Sequence, residues 1–102
     1  MTDATYQVRY TQNAKQDIKR LYDFLLKEDI SLARRAFEKI QLSISLLENF
    51  PFSGRKVFGD NSYLRELLIP FGASGYVALF RIQDKKTLNI LAVRHQKEVD
   101  YY

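Results

Sequence analysis

The residues of this chain best suited to chemistry are one histidine and a set of arginines in the second half. His95 is the single histidine, and its imidazole can exchange a proton near neutral pH, so it is a candidate general acid or base. Arg65, Arg81 and Arg94 precede it in three strand-like segments. Guanidinium groups bind phosphate and carboxylate groups, so these arginines suit either a nuclease site or a surface for an acidic partner.

Composition and motifs exclude several other kinds of site. The chain has no cysteine, which removes disulfides, thiolate catalysis and cysteine-ligated metals. A single histidine removes a multi-histidine metal centre. The segment 72–75 lacks the Gly-Lys-Ser/Thr ending of a phosphate-binding loop, and the carboxylates are too scattered for a paired-acid hydrolase. We therefore expect neither a metal nor a cofactor.

Positive charge is concentrated in the second half of the chain. The net charge is +4 and the pI is about 9.4. Residues 1–54 carry a balance of +1, whereas residues 55–97 carry eight Lys or Arg against three Asp or Glu. A cationic region of this kind attracts polyanions and acidic protein segments, so we expect a negatively charged partner.

The first half of the chain has the patterns of one strand and two helices. Residues 6–10 alternate apolar and polar side chains, which predicts a strand. Apolar residues then recur at steps of three and four, which predicts helices over about 12–28 and 32–49. Thr11 and Ser31 are the expected N-caps. A link this short predicts an antiparallel helical hairpin.

Three strand-like runs follow, at residues 63–69, 76–82 and 87–95. The links at 70–75 and 83–86 are short enough for hairpins, so the three runs should form a meander with the first strand added at an edge. The chain of 102 residues fits one domain. We predict a single α+β domain of order β-α-α-β-β-β, an antiparallel sheet packed against the N-terminal helical hairpin.

Strand alternation assigns the basic residues to sheet faces. Arg65 falls with the apolar residues of its strand, as does Arg81, whereas Arg94 and His95 fall on opposite faces of the last strand. Desolvating such cations is costly, so each must reach solvent, pair with a carboxylate such as Glu66, or bind a partner. A lone histidine at a strand end is more often structural than catalytic. Cations on adjacent strands favour a partner-binding face.

The N-terminus gives no sign of targeting. It lacks the basic and apolar regions of a signal peptide, and no apolar run approaches the roughly 20 residues of a membrane span. We therefore expect a cytoplasmic protein with no membrane partner.

Several segments, in this order and spacing, resemble the ParE/RelE superfamily of type II toxin–antitoxin systems. The resemblance covers nearly the whole chain. The segment around Tyr6-Gln7-Val8-Arg9-Tyr10 resembles the family's opening strand and first helix. The helix exit Leu47-Glu48-Asn49-Phe50-Pro51 with Gly54-Arg55 is similar to the family's L-x-x-F-P-x-x-G-R pattern. The family's sheet strands are resembled by three runs of this chain, Leu64–Leu67, Gly75–Arg81 and Ile90–Glu98.

The resemblance implies a toxin of a plasmid stabilisation module, neutralised by a ParD-like antitoxin whose C-terminal segment is acidic and apolar. ParE-like members poison DNA gyrase by binding it. RelE-like members bind the ribosome and cleave mRNA, using cations with a Tyr or His. On the ParE-like interpretation, the expected partner-binding residues are Arg55, Arg65, Arg81, Arg94 and His95.

The nuclease interpretation would use Arg65, Arg81, His95 and Tyr102. The family's cleaving branches place an arginine beside the start of the middle strand, where this chain has Gly75-Tyr76-Val77. Gln96 stands where a RelE-like enzyme would have a catalytic arginine. These departures favour the ParE-like branch. A third interpretation is an inactive member that binds only its antitoxin.

Overall fold

The computed structural model describes residues 5–57 and 63–98, which form an α+β fold. In chain order the elements are β1 (Gln7–Tyr10), α1 (Gln12–Leu26), α2 (Ile30–Ser45), a 3₁₀ turn (Leu46–Glu48), β2 (Arg55–Lys56), β3 (Leu64–Phe71), β4 (Ser74–Ile82) and β5 (Thr87–His95). The predicted α+β class is confirmed, as is the antiparallel meander of β3, β4 and β5. β2 lies between the second predicted helix and the predicted meander, where the sequence patterns predict no strand.

The strands form one sheet in the order β1-β5-β4-β3-β2. β1 lies at an edge, as expected, but it runs parallel to β5, with Gln7 opposite Thr87 and Tyr10 opposite Ile90. The sheet is therefore mixed, and the expectation of a wholly antiparallel sheet is corrected at this one pair. A parallel pairing requires a crossover connection, which the intervening helices and strands supply.

The helix ends show local hydrogen bonding that the patterns only partly predict. Thr11 caps α1 as expected, since its Oγ1 accepts from the Ala14 N–H at 3.1 Å. The cap of α2 is Asp29 and not Ser31, because the Asp29 carboxylate accepts from the N–H groups of Ser31 and Leu32 at 2.8 and 3.2 Å. α2 therefore begins two residues earlier than predicted.

The turn between β3 and β4 is tighter than predicted. Phe71 pairs with Ser74 across two connecting residues, and Pro70 pairs with Gly75 inside the sheet. Gly72 has a φ of 61°, a conformation that only glycine adopts without strain in so tight a reversal. β2 pairs with β3 only at residues 65 and 66, so Pro70 lies beyond that pairing, where its missing N–H is tolerated.

One face of the sheet packs against both helices to form the core. The strands contribute buried side chains such as Ala78, Phe80 and Ile90, and the helices contribute others such as Ile40 and Ile44. We call this the helix-facing side and the opposite side the outer face. Together the two layers hold each basic side chain of the sheet on a defined side.

A β-bulge in β5 changes the predicted faces of that strand. Leu79 pairs with Ala92 and Phe80 with Ile90, so Leu91 is an extra residue without a partner position. Ile90 therefore shares the helix-facing side with Val93, whereas simple alternation put Ile90 with Ala92 and Arg94. The buried Asp17 of α1 accepts from the Val93 N–H at 2.9 Å and ties the helix to the bulge.

Candidate partner-binding surfaces

The outer face of the sheet has a buried carboxylate between two arginines. Glu66 is 8% exposed. Arg55 donates to Glu66 Oε1 from Nε at 3.1 Å and from Nη2 at 2.9 Å, and Arg94 Nη2 lies 3.8 Å from Oε2. Two cations balance one buried anion, so the cluster has a net charge of +1 and holds both guanidinium groups in fixed positions.

Arg94 also closes the turn that follows β5. Its Nη1 donates to the backbone carbonyls of His95, Gln96 and Glu98 at 3.3, 3.4 and 2.9 Å. The Arg94 side chain is largely buried, with 14% of its surface exposed, whereas the Arg55 side chain is 58% exposed. Arg94 is therefore chiefly a structural residue, and Arg55 remains able to reach a partner.

The other two predicted arginines lie on opposite sides of the sheet. Arg81 is exposed on the outer face, opposite Leu64 of β3. Arg65 pairs with Phe80 and so points to the helix-facing side, near the β2 edge. Its guanidinium lies 5.0 Å above the Phe52 ring and donates to the carbonyls of Phe52 and Gly54. The five predicted binding residues therefore do not share one face of the sheet, as the opposite placement of Arg94 and His95 by strand alternation already implied.

Gly54 makes this edge possible through its lack of a side chain. A Cβ at residue 54 would lie 2.7 Å from the Glu66 carbonyl oxygen and 2.8 Å from the Phe80 ring. Only glycine permits so close a backbone approach, which brings Arg55 level with Glu66. The Gly-Arg pair noted in the sequence is thus explained by packing and by the ion pair together.

His95 is held in a hydrogen-bonded turn on the helix-facing side. The Lys97 N–H donates to Nδ1 at 3.1 Å, so the neutral ring carries its proton on Nε2 and donates to Ser74 Oγ at 3.1 Å. The Tyr76 ring packs edge-on against the imidazole, with centroids 5.5 Å apart. In this tautomer neither ring nitrogen is free to accept a proton from a substrate hydroxyl.

The residues of the nuclease interpretation do not converge. His95 pairs with Tyr76 on β4, and Arg81 lies five positions further along that strand, a separation of about 17 Å at about 3.4 Å per residue. Arg65 pairs with Phe80, which is four positions from Tyr76 on β4, so Arg65 lies about 14 Å from His95 along the strand. Tyr101 and Tyr102 lie outside the described residues. Over the described ranges, these three side chains form no common site for a phosphate.

A groove crosses the helical hairpin, and we call it the hairpin groove. Its volume is about 620 Å³. Apolar and aromatic side chains form its floor, among them Ile18, Tyr22 and Phe37, with the Tyr22 and Phe37 rings edge to face at 5.7 Å. Exposed cations line it as well, and the full lining is Tyr10, Lys15, Ile18, Lys19, Tyr22, Arg34, Phe37 and Gln41. An apolar floor with a basic rim fits an acidic amphipathic segment.

The phenols of Tyr10 and Tyr76 both have a raised pKa. Burial raises the pKa of the Tyr10 phenol, and the nearby negative charge of Glu48 raises that pKa further. Burial alone raises the pKa of Tyr76. Both phenols are therefore neutral at physiological pH and can donate hydrogen bonds. Tyr10 lies in the hairpin groove, and Tyr76 lies in a second groove that also contains His95 and Ser74.

Two kinds of feature are absent from residues 5–57 and 63–98, a cluster of metal ligands and a membrane-spanning helix. Within those ranges no three acidic or histidine side chains lie close enough together to hold a metal ion. Neither helix there combines the length and apolar character that crossing a membrane requires.

Comparison with known proteins now places this geometry in a family. Residues 8–100 match the family described as the ParE toxin of the type II toxin–antitoxin system parDE. The chain belongs to the ParE toxin family. The resemblance seen in the sequence is thereby confirmed, and the family match spans both helices and, apart from Gln7 of β1, all five strands.

One relative by sequence and two structures with a similar fold are described by the following names. The relative named "Toxin RelE1" of Caulobacter vibrioides is 35% identical over 78 residues, covering 76% of this chain and 81% of that protein. The chromosomal ParDE system of P. aeruginosa has a chain with the same fold, with a TM-score of 0.72, 20% identity and coverage of 89% and 96%. The Mycobacterium tuberculosis RelBE2 complex has a similar chain, with a TM-score of 0.56, 24% identity and coverage of 91% and 100%.

Two important residues, Asp17 and Ser74, were missed by reasoning from the sequence, and the arginines that pair with Glu66 were not specified. Asp17 sits in the apolar stripe of α1 between Ala14 and Leu21, and that position could have marked it as buried. Glu66 was named from the sequence as a carboxylate with which a strand cation could pair, and the structure places it beside Arg55 and Arg94. The Ser74 bond to His95 had no signal, because it depends on the tight turn.

Proposed function

We propose that this toxin acts by binding DNA gyrase and not by cleaving RNA. The observation that carries the proposal is the dispersal of the nuclease residues, with His95 held by Ser74 and the Lys97 N–H. Acid–base cleavage of RNA needs a base and phosphate-binding cations around one point, which Arg65, Arg81 and His95 do not surround. The proposed site of action is the cytoplasm, within a plasmid stabilisation module.

The proposed target contacts are on the outer face. Arg81 is exposed there, and Arg55 is exposed while anchored by Glu66. An anchored guanidinium loses less conformational freedom when it binds a carboxylate or phosphate than a mobile one does. Arg94 contributes by holding Glu66 and the turn after β5. Arg65 and His95 support the opposite side of the sheet.

A supercoiling assay with purified gyrase tests this proposal. The wild-type chain should inhibit supercoiling and trap the cleavage complex. Arg81→Glu should weaken inhibition by roughly tenfold, about 1.4 kcal/mol of binding energy. Lys27→Glu makes the same charge change on an exposed residue of the helical hairpin and should leave inhibition unchanged. Normal supercoiling at toxin doses that stop growth would refute the gyrase target.

We also propose that the cognate antitoxin docks an acidic, apolar segment in the hairpin groove. The groove provides aromatic surface for apolar side chains, and Lys15 and Arg34 provide charge for acidic ones. Burying even part of the apolar floor would stabilise the complex at about 25 cal/mol per Å². Docking there also leaves the outer face uncovered, so neutralisation would require the rest of the antitoxin to reach it or to exclude the target.

Charge reversal at the groove rim tests the antitoxin site. The double variant Lys15→Glu and Arg34→Glu should lower affinity for the antitoxin by at least about tenfold without unfolding the chain, since both side chains are exposed. Lys27→Glu is the control for a single charge reversal on the helical hairpin outside the groove and should leave the affinity unchanged. Unchanged affinity of the double variant, measured by calorimetry, would place the antitoxin elsewhere.

The relative named "Toxin RelE1" favours ribosome-dependent mRNA cleavage as a second candidate function. That candidate predicts that the toxin cleaves mRNA when it is added to purified ribosomes. His95→Ala or Arg81→Ala should weaken this cleavage. Toxicity that survives His95→Ala would exclude acid–base catalysis by this histidine. Truncation before Tyr101 extends the test to the Tyr102 phenol.

A further inference from the structure

A second surface of α2 has the character of a docking site and is separate from the hairpin groove. Leu42, Leu46 and Phe50 are 62%, 55% and 62% exposed. They follow one another at steps of four, and the Phe50 N–H donates to the Leu46 carbonyl at 3.0 Å, which continues the helical path through the 3₁₀ turn. Large apolar side chains exposed in a contiguous row usually mark an interaction surface.

Two cations extend this row toward the start of the helix. Arg35 and Lys39 are exposed and precede Leu42 at steps of four and three, which places them on the same face. The α2 stripe is therefore Arg35, Lys39, Leu42, Leu46 and Phe50. From Arg35 to Leu46 it spans about 16 Å, or three helical turns.

The α2 stripe lies on the flank of the helix that faces away from the hairpin groove. The groove uses Arg34, Phe37 and Gln41 of α2. At about 100° per residue, the centres of the two sets lie roughly 140° apart around the helix axis. A single segment bound in the groove therefore leaves the stripe uncovered.

We propose that the α2 stripe binds an acidic amphipathic helix of a partner protein, a second interaction beyond the proposed gyrase and hairpin-groove contacts. Its apolar row would pack on Leu42, Leu46 and Phe50, and its carboxylates would meet Arg35 and Lys39. The row is one side chain wide with helical spacing, which matches the facing row of another helix. A second copy of this chain does not fit, because its stripe has no carboxylate to pair with Arg35 and Lys39, and a symmetric contact would leave those cations against apolar side chains.

A membrane surface fits the stripe less well than a helix. Each basic residue contributes only about 1 kcal/mol of attraction to an anionic bilayer, and the stripe has two. Three apolar side chains in a single row also bury less in lipid than in a complementary helix. Lipid binding is nevertheless an outcome that the experiment below distinguishes.

Residue-resolved NMR of the full chain, made by cell-free synthesis, tests the inference with a defined probe. The probe is a synthetic amphipathic helix with one row of leucines and glutamates spaced to meet Arg35 and Lys39. Amide shifts should move at Lys39, Leu42 and Leu46, and Leu46→Glu should weaken binding by roughly tenfold or more. Gln41→Glu, which places a carboxylate on the groove flank, should keep these shifts at Lys39, Leu42 and Leu46.

Three results would overturn the inference. They are shifts confined to the hairpin groove, no shift at all, and stripe shifts with phosphatidylglycerol vesicles but none with the peptide. None of these results bears on gyrase inhibition, which the supercoiling assay measures separately. The stripe and the proposed function can therefore fail independently.

Discussion

At the scale of single residues, the buried Glu66 organises the charge of the outer face. Its two arginine partners come from β2 and β5, so one carboxylate connects both sides of the meander across β4. Removing the carboxylate charge leaves Arg94 largely buried without this compensation, which is costly even where the Coulomb attraction itself is modest. The role of Glu66 is thus better measured by stability than by activity.

Glu66→Gln tests this role. We expect the free energy of unfolding to fall by about 1–3 kcal/mol, because charge-assisted hydrogen bonds at a buried carboxylate are lost. Urea denaturation measures the change. Glu38→Gln, at an exposed position of α2, is the matched control and should stay within about 0.5 kcal/mol of wild type. Equal effects of the two substitutions would contradict the buried ion-pair assignment.

The raised pKa values of Tyr10 and Tyr76 predict how stability responds to alkali. A phenol whose folded pKa exceeds its ordinary value of 10.0 keeps its proton longer in the folded chain than in the unfolded one. Its contribution to stability is therefore complete below pH 10 and is lost as the pH rises through the folded pKa. Between about pH 9.5 and 11, the loss of stability should be shallower in the double variant Tyr10→Phe and Tyr76→Phe. Identical slopes would contradict the shifts.

The sequence predicted which residues carry charge but not how they are grouped. Strand alternation correctly predicted which residues of the same strand share a sheet face with Arg65 and which share one with Arg81. It could not predict that the two arginines point to opposite sides, because that depends on the register between β3 and β4. For His95 the structural interpretation fits the observed hydrogen bonds, and its partner Ser74 could be found only from the turn geometry.

At the scale of elements, two nearby residues, Asp29 and Ser31, are both suitable N-caps for α2. Pattern reasoning chose Ser31 as the start of α2, since serine is a common N-cap and precedes the apolar stripe. The structure uses Asp29, whose carboxylate accepts two backbone N–H groups. Both choices obey the same physical rule, so the sequence alone could not decide between them.

Alanine substitution distinguishes the two caps. Asp29→Ala should lower the free energy of unfolding by about 1 kcal/mol, because two N–H groups at the start of α2 lose their acceptor. Ser31→Ala, the matched control, should change it by less than about 0.5 kcal/mol. Thermal denaturation followed by circular dichroism measures both. A larger effect at Ser31 would restore the original prediction.

The strands show where periodicity succeeds and where it fails. All four predicted strands are present, and the predicted ends lie within two residues of the observed ones, because apolar alternation is strong in this sheet. The Leu91 bulge was missed, since one inserted residue inverts the alternation without changing composition. β2 was missed because two residues are too few to show a period.

At the scale of the whole molecule, charge and apolar surface are divided among several sides. The outer face carries Arg55 and Arg81, the hairpin groove carries Lys15 and Arg34, and the α2 stripe carries its own pair. The sequence predicted a basic second half correctly, but two of these three surfaces lie on the helices. Their charge was hidden in the total for residues 1–54, because seven acidic residues in that range offset eight basic ones.

Net charge predicts a salt-dependent encounter with an acidic partner. Raising NaCl from about 0.05 to 0.5 M should slow association with the antitoxin by roughly tenfold, because screening shortens the reach of the positive field. Stopped-flow fluorescence measures the rate constant. The double variant Lys15→Glu and Arg34→Glu should show a flatter dependence. A rate that is insensitive to salt would argue against electrostatic steering.

The pairing of β1 with β5 joins the first and last strands of the described sheet. Gln7 meets Thr87 across 80 positions of sequence, so β1 can pair only after β5 has been made. Closing so long a loop is entropically costly and slows folding relative to local contacts. During synthesis the helical hairpin can therefore form while β1 still lacks its partner, and the parallel edge is the part of the sheet that waits for residues 87–95.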